Sequence, residues 1–236
     1  MTDYVTLMEA SWPPAERLPL GPFVLRRGAG GGQRVSAASA IGEWNAQDLD
    51  RAEAAMRQMG QAPLMMLTPQ ESTLDQALAG RGYQIKDPVV VYAAPATQLA
   101  ASGPDHLTTF PHWPPMNIAG TLWADGLVGP ERLAIMQRAQ GPKTAILGRA
   151  QDRAAGVVFA ALADRVAFVH ALHVVPALRR QGLARNLMRA AAVWAADQGA
   201  QELALAVTEA NPAARALYAL LGMEVVGQYH YRHLAD

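Results

Sequence analysis

One pattern occurs twice in this chain, 140 positions apart. An apolar run, a short helical segment, a glycine followed by a large residue and a second apolar run succeed one another around Gly82 and again around Gly222. In the first copy, residues 63–67 (PLMML) read as a buried strand and residues 72–79 as a helix capped by Ser72 or Thr73. Gly82-Tyr83 stops that helix, and residues 89–92 (VVVY) resume as a strand. In the second copy, residues 202–207 (ELALAV) are the strand. Residues 212–221 are the helix, with Asn211 at the cap and Pro212 in the first turn. Gly222-Met223 stops it, and residues 225–229 form the next strand. An amphipathic helix precedes each copy, at 47–59 and 184–198. Strands alternating with helices twice over restrict the fold to the α/β class, built as two related halves.

Length and composition agree. A chain of 236 residues that is 51% hydrophobic and 17% charged can bury a sizeable core. Residues 93–104 are small and flanked by Pro and Gly, which places a boundary near residue 100. The domains are then 1–100 and 101–236. Lys+Arg and Asp+Glu both number 20, so no excess of positive charge favours nucleic acid. Cysteine is absent, which removes disulfides, a catalytic thiol, thiolate zinc sites and iron–sulfur clusters. No metal site is expected. The N-terminus has no basic segment leading into an apolar one, and the apolar run 154–163 is too short to span a bilayer. A cytoplasmic protein without a membrane partner is the expectation.

The densest chemical signal is Leu172-His173-Val174-Val175-Pro176-Ala177-Leu178-Arg179-Arg180-Gln181-Gly182-Leu183-Ala184. A strand rich in β-preferring residues runs into Pro176, which cannot continue a ladder. A helix follows, with Leu187, Met188, Ala191, Ala192 and Ala195 at helical spacing. Such a turn leaves backbone N–H groups and the positive end of the helix dipole facing outward, an arrangement suited to a pyrophosphate. Gly182 permits close backbone approach, and Ala184 keeps the first turn uncrowded. An ordinary strand-to-helix turn with solvated arginines would have the same sequence.

The chain from about residue 143 onward resembles the GCN5-related N-acetyltransferase (GNAT) superfamily. The resemblance rests on Val174-x-Pro176-x-x-Arg179-x-x-Gly182-x-Ala184 and on Asn211-Pro212-Ala213-Ala214-Arg215-Ala216-Leu217-Tyr218-Ala219-Leu220-Leu221-Gly222-Met223, one helix and one strand apart. It implies a mixed, splayed central sheet flanked by helices, preceded here by a smaller related α/β half. It implies an N-acetyltransferase that moves acetyl from acetyl-CoA to a primary amine, on a small-molecule acceptor, by direct attack in a ternary complex. A monomer or a homodimer is expected. The amides of Gln181, Gly182, Leu183 and Ala184 would hold the pyrophosphate, with Arg179 and Arg180 beside it. The strand Leu172, His173 and Val174 would bind the pantetheine arm, and Asn211 would also touch CoA. Tyr218 matches the superfamily's general acid, though it also sits at helical spacing with Leu217 and Leu221 as a packing residue would. His170 lies near the point where many members carry a basic glutamate, and histidine has a suitable ordinary pKa of about 6.5. A strand histidine satisfied by a neighbour is the competing reading. His173, three positions on, is expected on the opposite sheet face and not as the base. Two other readings remain open: a non-catalytic module that senses CoA or acyl-CoA, and a nucleotide-binding protein using the same loop.

The first half lacks these residues. At the offset of 140, Leu78 stands for Tyr218 and Glu71 for Asn211, and Ile41-Gly42-Glu43-Trp44-Asn45 occupies the turn before the helix. A glutamate there repels phosphate, so this half is expected not to bind CoA. Gly28-Ala29-Gly30-Gly31-Gly32 fails the dinucleotide pattern and reads as a flexible hairpin tip between Arg26-Arg27 and Gln33-Arg34-Val35. Pro111-His112-Trp113-Pro114-Pro115 and an amphipathic helix at 130–140 are candidate acceptor-pocket walls. Residues 229–233 alternate as a terminal strand, with Tyr229 and Tyr231 on one face and His230 and Arg232 on the other.

Overall fold

The computed structural model describes residues 3–234. In chain order the elements are α1 (Tyr4–Ser11), β1 (Glu16–Leu20), β2 (Phe23–Arg27), β3 (Ser39–Ala40), α2 (Ala46–Gln58), β4 (Leu64–Leu67), α3 (Ser72–Gly80), β5 (Gln84–Pro95), α4 (Ala96–Ala100) and β6 (Thr109–His112). They continue as α5 (Asn117–Asp125), α6 (Pro130–Arg138), β7 (Lys143–Ala150), β8 (Arg153–Ala163), β9 (Val166–Val174), α7 (Leu183–Asp197), β10 (Glu202–Thr208), α8 (Pro212–Leu220) and β11 (Glu224–His233). The elements gather into two compact units.

The larger unit holds residues 3–12, 91–207 and 211–226. Its strands run in the order β5-β10-β9-β8-β7-β6. β9 and β10 pair in parallel, and β6 through β9 are antiparallel neighbours. Residues 155–161 of β8 are buried without alternation, as expected of a strand covered on both faces. Helix α7 packs against β7, β8 and β9, as do α1 and α5 against β8 and β9. The apolar stripe of α7 is buried as its spacing predicts, including Leu187, Met188, Ala191, Ala192 and Ala195.

The smaller unit holds residues 13–90, 208–210 and 227–234. It contains the three-stranded sheet β1-β2-β3 and an antiparallel pair of β4 with β11, in which His230 faces Leu67. The glycine-rich stretch 28–32 does connect antiparallel strands, β2 and β3. Residues 33–35, however, form a 3-10 turn rather than a strand, and the Gly28 N–H donates to Gln61 Oε1 at 2.8 Å, which ties the tip down. The N-cap of α3 is Glu71 rather than Ser72 or Thr73, and its carboxylate turns back to accept from the Thr68 N–H and hydroxyl.

These units do not divide at one point near residue 100. Residues 93–95 complete β5, and Ala96 begins α4 and donates to the Gln201 carbonyl at 2.9 Å. Ala93, Ala94 and Ala96 are all buried, so small residues here serve close packing, not flexibility. The repeat itself is present in register. Helices α3 and α8 start 140 positions apart, as do β5 and β11. Gly82 and Gly222 both take left-handed φ values, +88° and +75°, which a glycine adopts without penalty. The Tyr83 N–H bonds the Leu78 carbonyl at 3.0 Å, and the Met223 N–H bonds the Tyr218 carbonyl at 3.0 Å. The end of each copy's last strand lies in the unit of the other copy. In the smaller unit Asp75 of α3 binds Arg232 of β11, and in the larger unit Arg215 of α8 reaches Tyr92 of β5. Both partners of the second pair sit at the 140-residue offset from those of the first.

Candidate functional site

The site begins with a β-bulge. On β9, His170 pairs with Phe159 and His173 with Val157, so two residues, Ala171 and Leu172, oppose one on β8. Ala171 takes φ +52°, and its carbonyl accepts from Trp123 Nε1 of α5 at 2.9 Å. The bulge has two consequences. Parallel pairing of β9 with β10 ends at Val169 opposite Leu205, so residues 172–174 stay paired to β8 but part from β10, and the sheet splays there. His170 and His173 also come to the same face, because their partners are two residues apart on one strand. This corrects the expectation that His173 lies opposite His170, which assumed uninterrupted alternation.

The splay opens into a cavity of about 700 Å³ within the larger unit. Every residue proposed for cofactor binding lines it: Leu172, His173 and Val174 from β9, Arg179 through Ala184 from the turn and α7, and Asn211 at the start of α8. Tyr218 of α8 lines it as well. His170 does not.

At the end of the turn, Gly182 is the N-cap of α7 and has φ +86°, a left-handed conformation that excludes most side chains. No side chain caps this helix, so its first N–H groups have no internal partner. Arg180 and Arg185 border the cavity, and Arg179 turns inward, its Nε donating to the Val174 carbonyl at 2.9 Å. That bond fixes the turn to the splayed strand, a structural duty added to the charge. Gln181 is held from outside by Gln151 Nε2 at 3.1 Å. Across the cavity, Asn211 Oδ1 accepts from the Ala214 N–H at 3.1 Å, the capping role its position predicts. The walls between are apolar: Leu172, Leu178, Val207 and Leu217, with Ala213, Ala214 and Ala216 leaving room along α8. An apolar trough with unpaired amides and arginines at one end suits an extended ligand with an anionic portion.

Tyr218 is buried, its ring 5.7 Å from that of Tyr92, and burial pushes its pKa up to about 12. The phenol therefore keeps its proton and can donate it. His173 is also buried, and burial, seconded by the Arg179 charge and opposed by Asp125, lowers its pKa below the ordinary histidine value. Its Nε2 is sealed from solvent and has no hydrogen-bond partner among the described residues. His170, by contrast, is engaged: its Nε2 lies 2.8 Å from Ser11 Oγ, and its ring is 4.8 Å from Trp12 and 6.1 Å from Phe168. The satisfied strand histidine is the reading this environment supports. Ser11 and Trp12, at the end of α1, carry no sequence signal linking them to β9. Gly126 is similar: a Cβ there would lie 2.5 Å from His173 Nδ1, yet nothing in the sequence pairs the two. Trp113 packs on Phe159 at 5.7 Å beneath Lys143, a packing role. Among the described residues no group of His, Asp and Glu gathers as a metal site, and no helix is long and apolar enough to cross a membrane.

Comparison with known proteins bears on this geometry directly. The acetyltransferase (GNAT) family matches residues 118–223, the span that holds the bulge, the turn, α7 and α8. The match covers residues 118–223 and marks that span as a GNAT-type domain. The family matched by that span is one of acetyltransferases. A GCN5-related N-acetyltransferase from Kribbella flavida has the same fold at a TM-score of 0.73 and 18% identity, covering 99% of this chain and 95% of that one. Another from Sphaerobacter thermophilus gives 0.65 at 13% identity, over 92% and 82%. A tandem GNAT protein from the clavulanic acid biosynthesis pathway gives 0.63 at 15% identity, over 98% and 88%. The match to a tandem GNAT protein agrees with the repeat around Gly82 and Gly222. No curated protein matches the sequence.

Proposed function

We propose that this protein is an N-acetyltransferase that carries acetyl from acetyl-CoA to the primary amine of a small molecule by direct attack. The observation that supports this most is the coincidence of three features in one cavity: a splayed strand edge at residues 172–174, an uncapped helix start at Gly182, and a buried, protonated Tyr218. The amides after Gly182 and the arginines beside them would take the pyrophosphate of acetyl-CoA, and Leu172 to Val174 the pantetheine amides. A free N–H on that strand would stabilise the tetrahedral oxyanion. The amine nitrogen bonds to the acetyl carbon, the carbon–sulfur bond breaks, and Tyr218 gives its proton to the leaving sulfur. With no cysteine in the chain, no thioester enzyme intermediate is needed. On this reading the second half of the sequence supplies the cofactor site and the first half none.

Calorimetric titration with acetyl-CoA and with ATP, followed by an acetyl-CoA turnover screen over a panel of amines, tests this. Acetyl-CoA binding with turnover of at least one amine is expected. Tighter binding of ATP removes the CoA reading. Binding without turnover of any amine leaves the CoA-sensing module in its place.

A further inference from the structure

We propose that His173, and not His170, is the catalytic base that takes the proton from the acceptor amine. The inference deepens the acetyltransferase reading and rests on it. Four observations converge on this residue. The bulge turns His173 to the face where α1 and α5 pack, away from α7, at the point where β9 parts from β10. It forms part of the wall of the cavity that also holds Tyr218. Its imidazole fits only because residue 126 is a glycine, since a Cβ there would come within 2.5 Å of Nδ1 and 2.7 Å of Cγ. Its Nε2 is buried with no partner among the described residues, whereas the same atom of His170 is held by Ser11. A buried ring nitrogen left unpaired by the protein awaits a ligand group.

The proton balance closes with these two side chains. As the amine nitrogen bonds the acetyl carbon, its proton passes to the neutral His173 imidazole. As the carbon–sulfur bond breaks, the Tyr218 phenol protonates the thiolate. Return of the proton from the His173 imidazolium to the Tyr218 phenolate, through the cavity that both residues line, then restores both groups. Around His173 the charged and titratable groups are Asp125 of α5, Arg179 of the turn and Tyr218 of α8, with His170 on its own strand. Burial and Arg179 keep the imidazole neutral at a pH where a solvated histidine is partly protonated.

The test uses the full chain, acetyl-CoA and the amine found by the turnover screen. His173→Gln is expected to lower kcat about 100-fold while acetyl-CoA affinity changes by less than about threefold, and to abolish the acid limb of the kcat profile. His170→Gln is expected to retain that limb. A His173→Gln protein that binds acetyl-CoA and keeps kcat within about threefold of wild type overturns the assignment. So does a wild-type kcat profile without an acid limb below about pH 6.5, a measurement that needs no variant. Wild-type protein that binds acetyl-CoA but acetylates no amine overturns the acetyltransferase reading and this inference together. Turnover in wild type that survives in the variant overturns this inference alone.

Discussion

Two helices of this molecule begin at equivalent places in the repeat, and they treat their N-termini in opposite ways. Helix α2 of the smaller unit is closed by the chain itself. Asn45 Oδ1 accepts from the N–H groups of Gln47 and Asp48, and Asp48 accepts from the Asn45 N–H at 3.0 Å, while Arg51 holds the Asp48 carboxylate. Helix α7 of the larger unit has Gly182 at that position and no side-chain cap. The dipole and the unpaired amides are the same in both. In α2 an internal carboxylate occupies the anion position. In α7 it is left for a ligand. The cap of α2 is thus a more local reason to expect no phosphate there than repulsion from Glu43, which is exposed.

Placing an acidic side chain at the open terminus should erase this difference. Gly182→Glu puts a carboxylate where phosphate would sit and a Cβ on a backbone at φ +86°. Acetyl-CoA affinity should fall by more than about 100-fold in calorimetry, equivalent to about 3 kcal/mol. Retained affinity would mean that α7 does not hold the anion and that the two termini differ in form only.

The second contrast lies at the other end of the module, where Tyr218 stands and the first copy has Leu78. Both are buried, and both close the same helix-end hydrogen bond. Only one carries a proton. Tyr218→Phe keeps the ring and should lower kcat about 100-fold with acetyl-CoA affinity unchanged. Because burial raises the phenol to about 12, the wild-type rate should show no basic limb from this group below about pH 10. Unchanged turnover would reduce Tyr218 to the packing role of Leu78.

The paired contacts of α3 and α8 offer a third point of attack. Arg232 above all, and His230 after it, hold the Asp75 carboxyl down to about 2, against the opposing effect of burial. A carboxylate depressed in the folded state contributes stability above its ordinary value of 3.8, and that contribution is lost as pH falls toward 2. Asp75→Asn should therefore cost on the order of 2 kcal/mol at neutral pH and progressively less through that window, read by denaturant unfolding at several pH values. At the equivalent place Arg215 donates to a hydroxyl, that of Tyr92, at 3.4 Å, so this contact has no carboxylate whose protonation would weaken it.

What could be read from the sequence, and what could not, divides along the range of the interactions involved. The repeat, the turn and the caps at Asn211 and Gly182 are local, set by residues within one helical turn of each other, and the structure has them where the spacing puts them. The boundary near residue 100 fails because β5 and β11 end among residues of the other unit, and strand partners far apart in sequence leave no local trace. The face of His173 fails because a bulge of a single residue reverses every orientation after it, and Ala171-Leu172 has no glycine or proline to announce one. The partner of His170 lies 159 positions away at Ser11. Gly126 becomes intelligible only when the imidazole it accommodates is seen beside it.

The smallest expected effect returns to the closed terminus of α2. Asn45→Ala removes the acceptor of two amide hydrogen bonds and leaves Asp48 to hold the cap alone. Loss of an N-cap side chain costs about 1 kcal/mol, because the exposed amides regain water as a partner. Thermal unfolding should shift by that amount, and acetyl-CoA affinity should not change. If opening α2 in this way created a second acetyl-CoA site, with stoichiometry rising above one, the anion position of the first half would be intact beneath its cap. If stoichiometry stays at one, the missing arginines of the turn and the Leu78 in place of tyrosine mark a half that has lost more than its open helix end.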